Sequence, residues 1–208
     1  MQIKNATIEL PDGSVTKAAL ASALELTTEQ HAQRTFVPTP IPLTSLRVWD
    51  AMHTMIVGTP AADDLGLVTG TPGTHAPKVS AGDVKALGST TRKAAFVYIV
   101  PDNYDNGQTL QFKLRCAMET TVADTSCNVD LSVYQTSDAT VGSDLVVTAP
   151  ITMNSLTAAD KTFSLSEGTL VAGSILIGVV SIISNDAATA TAVTPVIYSI
   201  TPLVDMRG

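Results

Sequence analysis

Hydrophobic and polar residues alternate along several stretches of the chain, which is the pattern of half-buried β-strands. In the clearest run, residues 109–118, Leu110, Phe112, Leu114 and Cys116 fall on one face. Gly-, Asp- and Asn-rich turns separate the runs, and no helical pattern alternates with them. The pattern predicts an all-β fold, a jelly-roll-like β-sandwich. The predicted strands are residues 95–100, 109–118, 127–136, 161–166, 174–183 and 192–206.

The N-terminal segment has a different pattern. Asp12-Gly13 is a turn signal, and many good helix formers follow it. Leu20 and Leu24 share one helical face, but the apolar stripe is thin, so such a helix needs a surface to lie against. A short hairpin over residues 3–17 is the competing interpretation. We predict an extended N-terminal arm that contains a short helix.

Three prolines alternate with other residues in TFVPTPIPL, residues 35–43. Each proline fixes its own φ and pushes the preceding residue towards extended backbone. Residues 37–43 are therefore predicted as a stiff polyproline II rod with a reach of about 20 Å. Such a rod fits neither a helix nor a central strand. It divides the chain into an arm and linker, residues 1–43, and a β-sandwich body, residues 44–208.

The stretch after the prolines is ambiguous. SLRVWDAM, which starts at Ser45, can alternate as a strand, whereas Leu46, Trp49, His53 and Ile56 also suit one helical face. Both assignments stay open. Residues 57–93 are rich in Gly, Pro, Thr and Ala and are predicted as long loops with at most short strands.

The segment from Ile175 to Val180 is apolar on both phases of a strand apart from Gly178. A strand in a two-layer sandwich has one outer face, so burial of both faces requires a second partner. Another subunit is one candidate for this partner, and a covering loop of the same chain is the alternative. The residues that we identify as candidates for a subunit interface are Trp49, Ile175, Ile177, Val179 and Val180.

The composition favours burial between subunits. Only 15% of the 208 residues are charged whereas 45% are hydrophobic, which leaves few charges to cover the surface. The net charge is −7, and the 12 Lys and Arg residues form no dense cluster, so neither nucleic acid nor an anionic membrane is an expected partner. The sequence also lacks an apolar tract long enough for a membrane-spanning helix, and its start does not resemble a secretory signal.

The two cysteines, Cys116 and Cys127, each lie on the apolar phase of an alternating segment. We predict two buried free thiols that act as small apolar side chains. A disulfide stays geometrically possible if the two strands form one hairpin.

No residue pattern points to catalysis. Nucleophile-elbow, zinc-protease, phosphate-loop and Cys-x-x-Cys motifs are absent from the sequence. His31, His53 and His75 are spaced 22 residues apart each time and lack paired metal-ligand spacing. We expect neither an enzyme nor a cofactor or metal.

Two acidic stretches are candidate sites. Asp102 to Gly107 looks like a calcium loop, but Tyr104 and Lys113 stand where ligands are needed, so a turn is favoured. Asp63-Asp64 could form a carboxylate pair, but neighbours in sequence rarely converge on one substrate, and a surface loop is the better interpretation.

Five stretches resemble parts of structural proteins of tailed bacteriophages. The similarity covers nearly the whole chain and is weakest over residues 13–34. It is a full-length pattern and not a short catalytic signature. The stretches are IPLTSLRVWDAM (41–52), GTPAADDLGLV (58–68), TTVADTSCNVDLSVYQ (120–135), NSLTAADKTFSL (154–165) and TPLVDMRG (201–208).

The resemblance implies a virion component, a capsid decoration or cement protein that is made in the host cytoplasm and binds the outside of the phage head. Such proteins bridge neighbouring capsomers of the major capsid protein and commonly form homotrimers. The resemblance assigns no contact residues, so the candidates come from the arm and the rod. The candidates for capsid contact are Leu20, Leu24, Phe36, Pro38, Pro40 and Pro42.

Two other functions are compatible with the sequence. A head-fibre, tail-fibre or baseplate module that binds host carbohydrate is the alternative, and an exposed aromatic cluster in the folded protein would favour it. A glycan-cleaving enzyme ranks last, because it requires two acids about 5 to 10 Å apart in a cleft.

Overall fold

The computed structural model describes residues 35–71, 73–85, 88–123, 125–166, 168–186 and 191–206. They form two antiparallel sheets. The first sheet has the order β2 (Gly66–Val68), β3 (Lys78–Ser80), β11 (Pro195–Met206), β5 (Leu110–Met118) and β9 (Ala159–Ser164), and β1 (Thr35–Pro38) also pairs with β11. The second has the order β4 (Ser89–Ile99), β10 (Ile175–Asp186), β6 (Thr125–Ser137) and β7 (Thr140–Asp144), and β8 (Ile151–Thr152) also pairs with β6.

The chain crosses between the two sheets at most of its connections. From β3 to β6 each strand lies in the sheet opposite to the one before it, and the same holds from β9 to β11. The central sheet orders β3-β11-β5-β9 and β4-β10-β6-β7 make the eight-stranded double sheet of a jelly roll. The predicted all-β, jelly-roll-like sandwich is confirmed. The helix predicted around Leu20 and Leu24 lies outside the described residues.

The inner faces of both sheets supply one core. Along β5 every second residue from Leu110 to Cys116 is buried, and along β10 every second residue from Leu176 to Asp186 is buried. The ring centroids of Phe96 and Phe112 lie 5.6 Å apart where the two sheets meet. The period of two in the sequence therefore marks the core face of each long strand.

The proline-rich segment is extended, as predicted, but it pairs with a strand and does not stand free. The N–H of Thr39 donates to the carbonyl of Pro202 at 2.9 Å, and the N–H of Ile41 donates to that of Ile200 at 2.9 Å. Pro38, Pro40 and Pro42 alternate with these residues and are exposed. Because proline has no N–H, the alternation of the three prolines with Thr39 and Ile41 leaves only the backbone N–H groups that point towards β11. The prolines therefore form an edge of the first sheet.

The two cysteines are free and buried. Cys116 lies on β5 in the first sheet and Cys127 on β6 in the second, so their strands do not form one hairpin. Burial raises the pKa of Cys116 to about 11 and that of Cys127 to about 12. The prediction of buried free thiols is confirmed.

Candidate functional site

The outer faces of the two sheets differ in charge. On the first sheet, Asp160 of β9 receives two ion pairs from β5, from the Lys113 ammonium at 3.2 Å and from the Arg115 guanidinium at 3.2 Å. On the second sheet, large apolar side chains face outwards: 52% of Val97 and 60% of Ile99 are exposed. Contiguous exposed apolar area marks interaction sites. The outer face of the second sheet is therefore the candidate functional face.

The strand register arranges this face in rows across β4, β10 and β6. The face is apolar at one end, where β4 ends, and becomes polar towards the other. The first four rows are Ile99–Ile175–Thr136, Val97–Ile177–Tyr134, Ala95–Val179–Ser132 and Lys93–Ser181–Asp130.

A groove runs along the apolar end, between β4 and the proline-rich segment. Pro40, Pro42, Val97 and Ile99 are among its lining residues, and its volume is about 470 Å³. We call it the proline groove. Isolated β-bridges cover the edge of β4 at Lys93 and Ala95, whereas the edge at Val97 and Ile99 opens into the groove. Such an uncovered strand edge is a template for another chain.

The polar end of the face is built by a short hairpin after the prolines. Arg47 bridges both Met55 and Ala95, and the N–H of Arg47 donates to the Ala95 carbonyl at 2.8 Å. The indole N–H of Trp49 donates to an oxygen of Asp63 at 3.0 Å. The helical alternative for this stretch is wrong, because its backbone pairs with β4 across the sheet edge.

Trp49 lies beside a cleft of about 430 Å³, which we call the Trp49 cleft. The ammonium of Lys93 lies 4.4 Å from the centroid of the Trp49 ring, a cation–π contact. Burial raises the pKa of the Asp130 carboxyl. The N–H of Leu131 donates a hydrogen bond to this carboxylate, which acts in the opposite direction and lowers the pKa. The cleft is lined by two aromatic rings, four hydroxyls including the Tyr134 phenol, one carboxylate and one ammonium, which belong to Trp49, Tyr134, Thr91, Ser132, Ser181, Asp130 and Lys93.

The interface candidates from the sequence separate into two groups. Ile175 is 46% exposed, and Ile177 and Val179 are partly exposed on the outer face. Val180 is fully buried in the core and is not available to another subunit. The two apolar phases of this segment thus have different roles, because one packs between the sheets and the other stays on the outside. Trp49 is partly exposed at the polar end.

The capsid-contact candidates separate in a similar way. Phe36 is 48% exposed, and the three prolines that follow it along the edge are exposed. Pro40 and Pro42 also line the proline groove. Leu20 and Leu24 lie outside the described residues.

The remaining candidates do not converge. His53 and His75 are exposed, and His31 lies outside the described part of the chain. Asp102 to Gly107 forms turns, in which the side chain of Asn106 accepts the N–H of Ala172 at 2.9 Å. Among the described residues, no group of three His, Cys, Asp or Glu side chains could hold a metal ion.

Asp63 and Asp64 differ in environment. Asp63 is exposed and accepts the Trp49 indole N–H. The pKa of Asp64 is raised, first by burial and then by the charges of Asp63 and Asp50. Asp63 therefore holds Trp49 in position, a contact that the sequence did not predict.

The Trp49 cleft was also missed in the sequence. Its side chains come from the outer phase of three strands that are far apart along the chain, and only the register brings Lys93, Ser181 and Asp130 into one row. The available signal was weak: hydroxyl and aromatic residues, such as Ser132 and Tyr134, occupy the outer phase of an alternating segment.

No protein-family model and no curated protein matches the chain. Among solved structures, a xylan-binding CBM22-1 domain from Paenibacillus barcinonensis is 6% identical with a TM-score of 0.40, and the match covers 85% of this chain and 100% of that domain. The arabinose-bound α-L-arabinofuranosidase MgGH51 is 12% identical with a TM-score of 0.34, over 85% of this chain and 24% of that one. A cleaved adhesin domain of Lys-gingipain from Porphyromonas gingivalis is 14% identical with a TM-score of 0.34, over 82% of this chain and 99% of that domain.

Identities of 6% to 14% and TM-scores of 0.40 or less carry no information about what this chain binds. In the described ranges, no helix is both long and apolar enough to span a membrane.

Proposed function

We propose that this chain is a structural protein of a tailed-phage virion that decorates the outside of the head and stabilises it by bridging capsomers of the major capsid protein. The resemblance of its sequence to phage structural proteins supports this class. The observation that carries the proposal is the exposed apolar edge formed by Phe36, Pro38, Pro40 and Pro42. Its last two prolines, Pro40 and Pro42, line the same groove as Val97 and Ile99 of β4.

The edge suits a partner that stays bound. Prolines restrict the unfolded chain, so little conformational entropy is lost when this segment is held against another surface. Its pairing with β11 also orders the segment before any partner binds. Burying apolar area contributes about 25 cal/mol per Å², and several copies acting together add avidity.

The same proposal includes self-association into a homotrimer through the apolar end of the candidate face. Ile99 and Ile175 pair across β4 and β10 and are 60% and 46% exposed. An exposed apolar sheet face next to an open strand edge is a poor surface for a monomer and a good one for an oligomer. Trp49 lies at the polar end, so we do not include it in the proposed interface.

The position of the protein in the intact virion tests the function. Electron cryomicroscopy of the particle should show copies of the jelly roll at symmetric positions over the whole head. Copies confined to the tail or to one vertex would overturn the decoration function.

Binding of purified protein to capsids that lack it tests the contact surface. Phe36→Asp places a charge in the apolar edge, and co-sedimentation with capsids should fall at least tenfold. Val141→Asp is the matched control, since Val141 is 60% exposed on β7 at the opposite edge of the second sheet, and it should bind as the unmodified chain does. Equal binding by both variants would show that the edge around Phe36 is not the contact surface.

A further inference from the structure

The Trp49 cleft has no role in the proposed decoration function. None of its lining residues lines the proline groove, and its lining combines rings, hydroxyls and a carboxylate. Ligand sites are concave, with apolar walls and a few convergent polar groups. A volume of about 430 Å³ lies within the usual range for such sites, roughly 300 to 1,000 Å³.

The cleft offers two kinds of contact at once. Tyr134 contributes an aromatic ring, and Val179 and Ile183 contribute aliphatic surface between the strands. The hydroxyls of Ser132 and Ser181 can each donate and accept a hydrogen bond. A ligand that matches this lining has an apolar face for the rings and hydroxyl groups around its rim.

The charges of the cleft favour a neutral ligand. Lys93 supplies one positive charge and Asp130 one negative charge. The Lys93 ammonium is engaged with the face of the Trp49 ring, which reduces its availability to an anion. Asp130 is partly buried on the other side of the row, where its carboxylate is an acceptor for hydroxyl donors.

We propose that the Trp49 cleft binds a neutral saccharide, with Tyr134 stacked against the apolar face of a sugar ring and with Asp130, Ser132 and Ser181 bonded to its hydroxyls. This site goes beyond the decoration function and does not depend on it. A decoration protein with this cleft would present a sugar-binding surface on the outside of the head.

The single tryptophan of the chain makes the cleft directly observable. Tryptophan fluorescence of the full chain would be titrated with neutral disaccharides of glucose, galactose, xylose and N-acetylglucosamine, and calorimetry would give the affinity of any that bind. We expect a saturable change in emission with at least one of them. Failure of every disaccharide to change the emission or to release heat at millimolar concentration would overturn the proposal.

Variants locate the binding. Tyr134→Ala removes the stacking ring and should weaken binding at least tenfold, whereas Tyr134→Phe keeps the ring and should bind within threefold of the unmodified chain. Asp130→Asn should weaken binding severalfold. Tyr198→Ala is the matched control, because Tyr198 is a partly exposed tyrosine on β11 of the other sheet, and it should not change the affinity.

The outcomes distinguish this proposal from the decoration function. Binding that is unaffected by Tyr134→Ala and by Asp130→Asn in correctly folded protein, as judged by circular dichroism, would place the sugar elsewhere and overturn the assignment. Loss of capsid binding in Phe36→Asp with intact sugar binding would leave the cleft proposal standing by itself.

Discussion

At the scale of single residues, Gly178 shows how tightly the two sheets pack. It lies on the inner face of β10, and a Cβ atom there would be 2.1 Å from Cζ of Phe96. The Phe96 ring is fully buried against Phe112, so it has little room to move away. We expect Gly178→Ala to lower the free energy of unfolding by about 1–3 kcal/mol, the usual cost of overpacking, as measured by urea denaturation.

Gly168 is the control for this substitution. No heavy atom lies within 4 Å of a Cβ built at Gly168, and its φ is not positive. Gly168→Ala should leave stability unchanged or raise it by up to about 1 kcal/mol, because alanine restricts the unfolded chain. Equal losses in the two variants would mean that the contact with Phe96 is not what excludes a side chain at Gly178.

The buried thiols give a second prediction for single residues. The thiolate is the reactive form, and burial raises the pKa of Cys116 to about 11 and that of Cys127 to about 12. At pH 8 both groups therefore stay protonated in the folded chain and are shielded from reagents. Ellman's reagent should label neither cysteine in native protein and both in urea. Rapid labelling of the native protein would contradict their burial, and failure to label the unfolded chain would indicate a disulfide.

At the scale of elements, the sequence predicted the strands whose two faces differ in environment. The run predicted at 109–118 is β5, and the run predicted at 127–136 lies within β6. Alternation is a local property, so it can be identified without knowledge of the partner strands. β7 was missed because all five of its residues are exposed and no alternation exists there.

The candidate face could be predicted only in part. The residues on the outer phase of each strand follow from the local sequence, whereas the arrangement of the strands beside one another does not. The apolar outer phase of β10 indicated a surface in need of a partner, and Ile175 is indeed exposed. The assignment of Val180 failed because a run that is apolar on both phases does not tell which phase faces the core. The pairing of the prolines with β11 depends on contacts between residues about 160 positions apart, which periodicity does not encode.

One hydrogen bond tests how the proline-rich segment is held. The hydroxyls of Thr39 and Tyr98 lie 2.8 Å apart, and Tyr98 is nearly buried on β4. Thr39→Val and Tyr98→Phe should each lower the free energy of unfolding by about 0.5–1.5 kcal/mol. Because the two groups bond to each other, the double variant should lose less than the sum. Additivity within about 0.3–0.5 kcal/mol in a urea double-mutant cycle would mean that the bond does not contribute to stability.

At the scale of the whole molecule, the two outer faces divide the protein into a side suited to solvent and a side suited to partners. Ion pairs around Asp160 place charge on the outer face of the first sheet, whereas the second sheet has its exposed isoleucines at one end and the Trp49 cleft further along the same face. Apolar contacts and polar recognition are therefore separated along one face. A homotrimer whose contact is confined to the row of Ile99 and Ile175 would leave the cleft of each copy accessible, because no cleft residue belongs to that row.

The oligomeric state tests this division. Ile99 and Val141 are both 60% exposed, and they lie on β4 and β7 at opposite edges of the second sheet. We expect the unmodified chain to sediment as a trimer, Ile99→Asp as a monomer and Val141→Asp as a trimer, because an unpaired carboxylate is costly to bury only where the subunits meet. Monomers of the unmodified chain at micromolar concentration, or equal dissociation of both variants, would contradict an interface at the apolar end. Because Ile99 and Val141 are equally exposed, Val141→Asp controls for the general effect of a new surface charge, and a difference between the two variants in sedimentation points to the position of the contact.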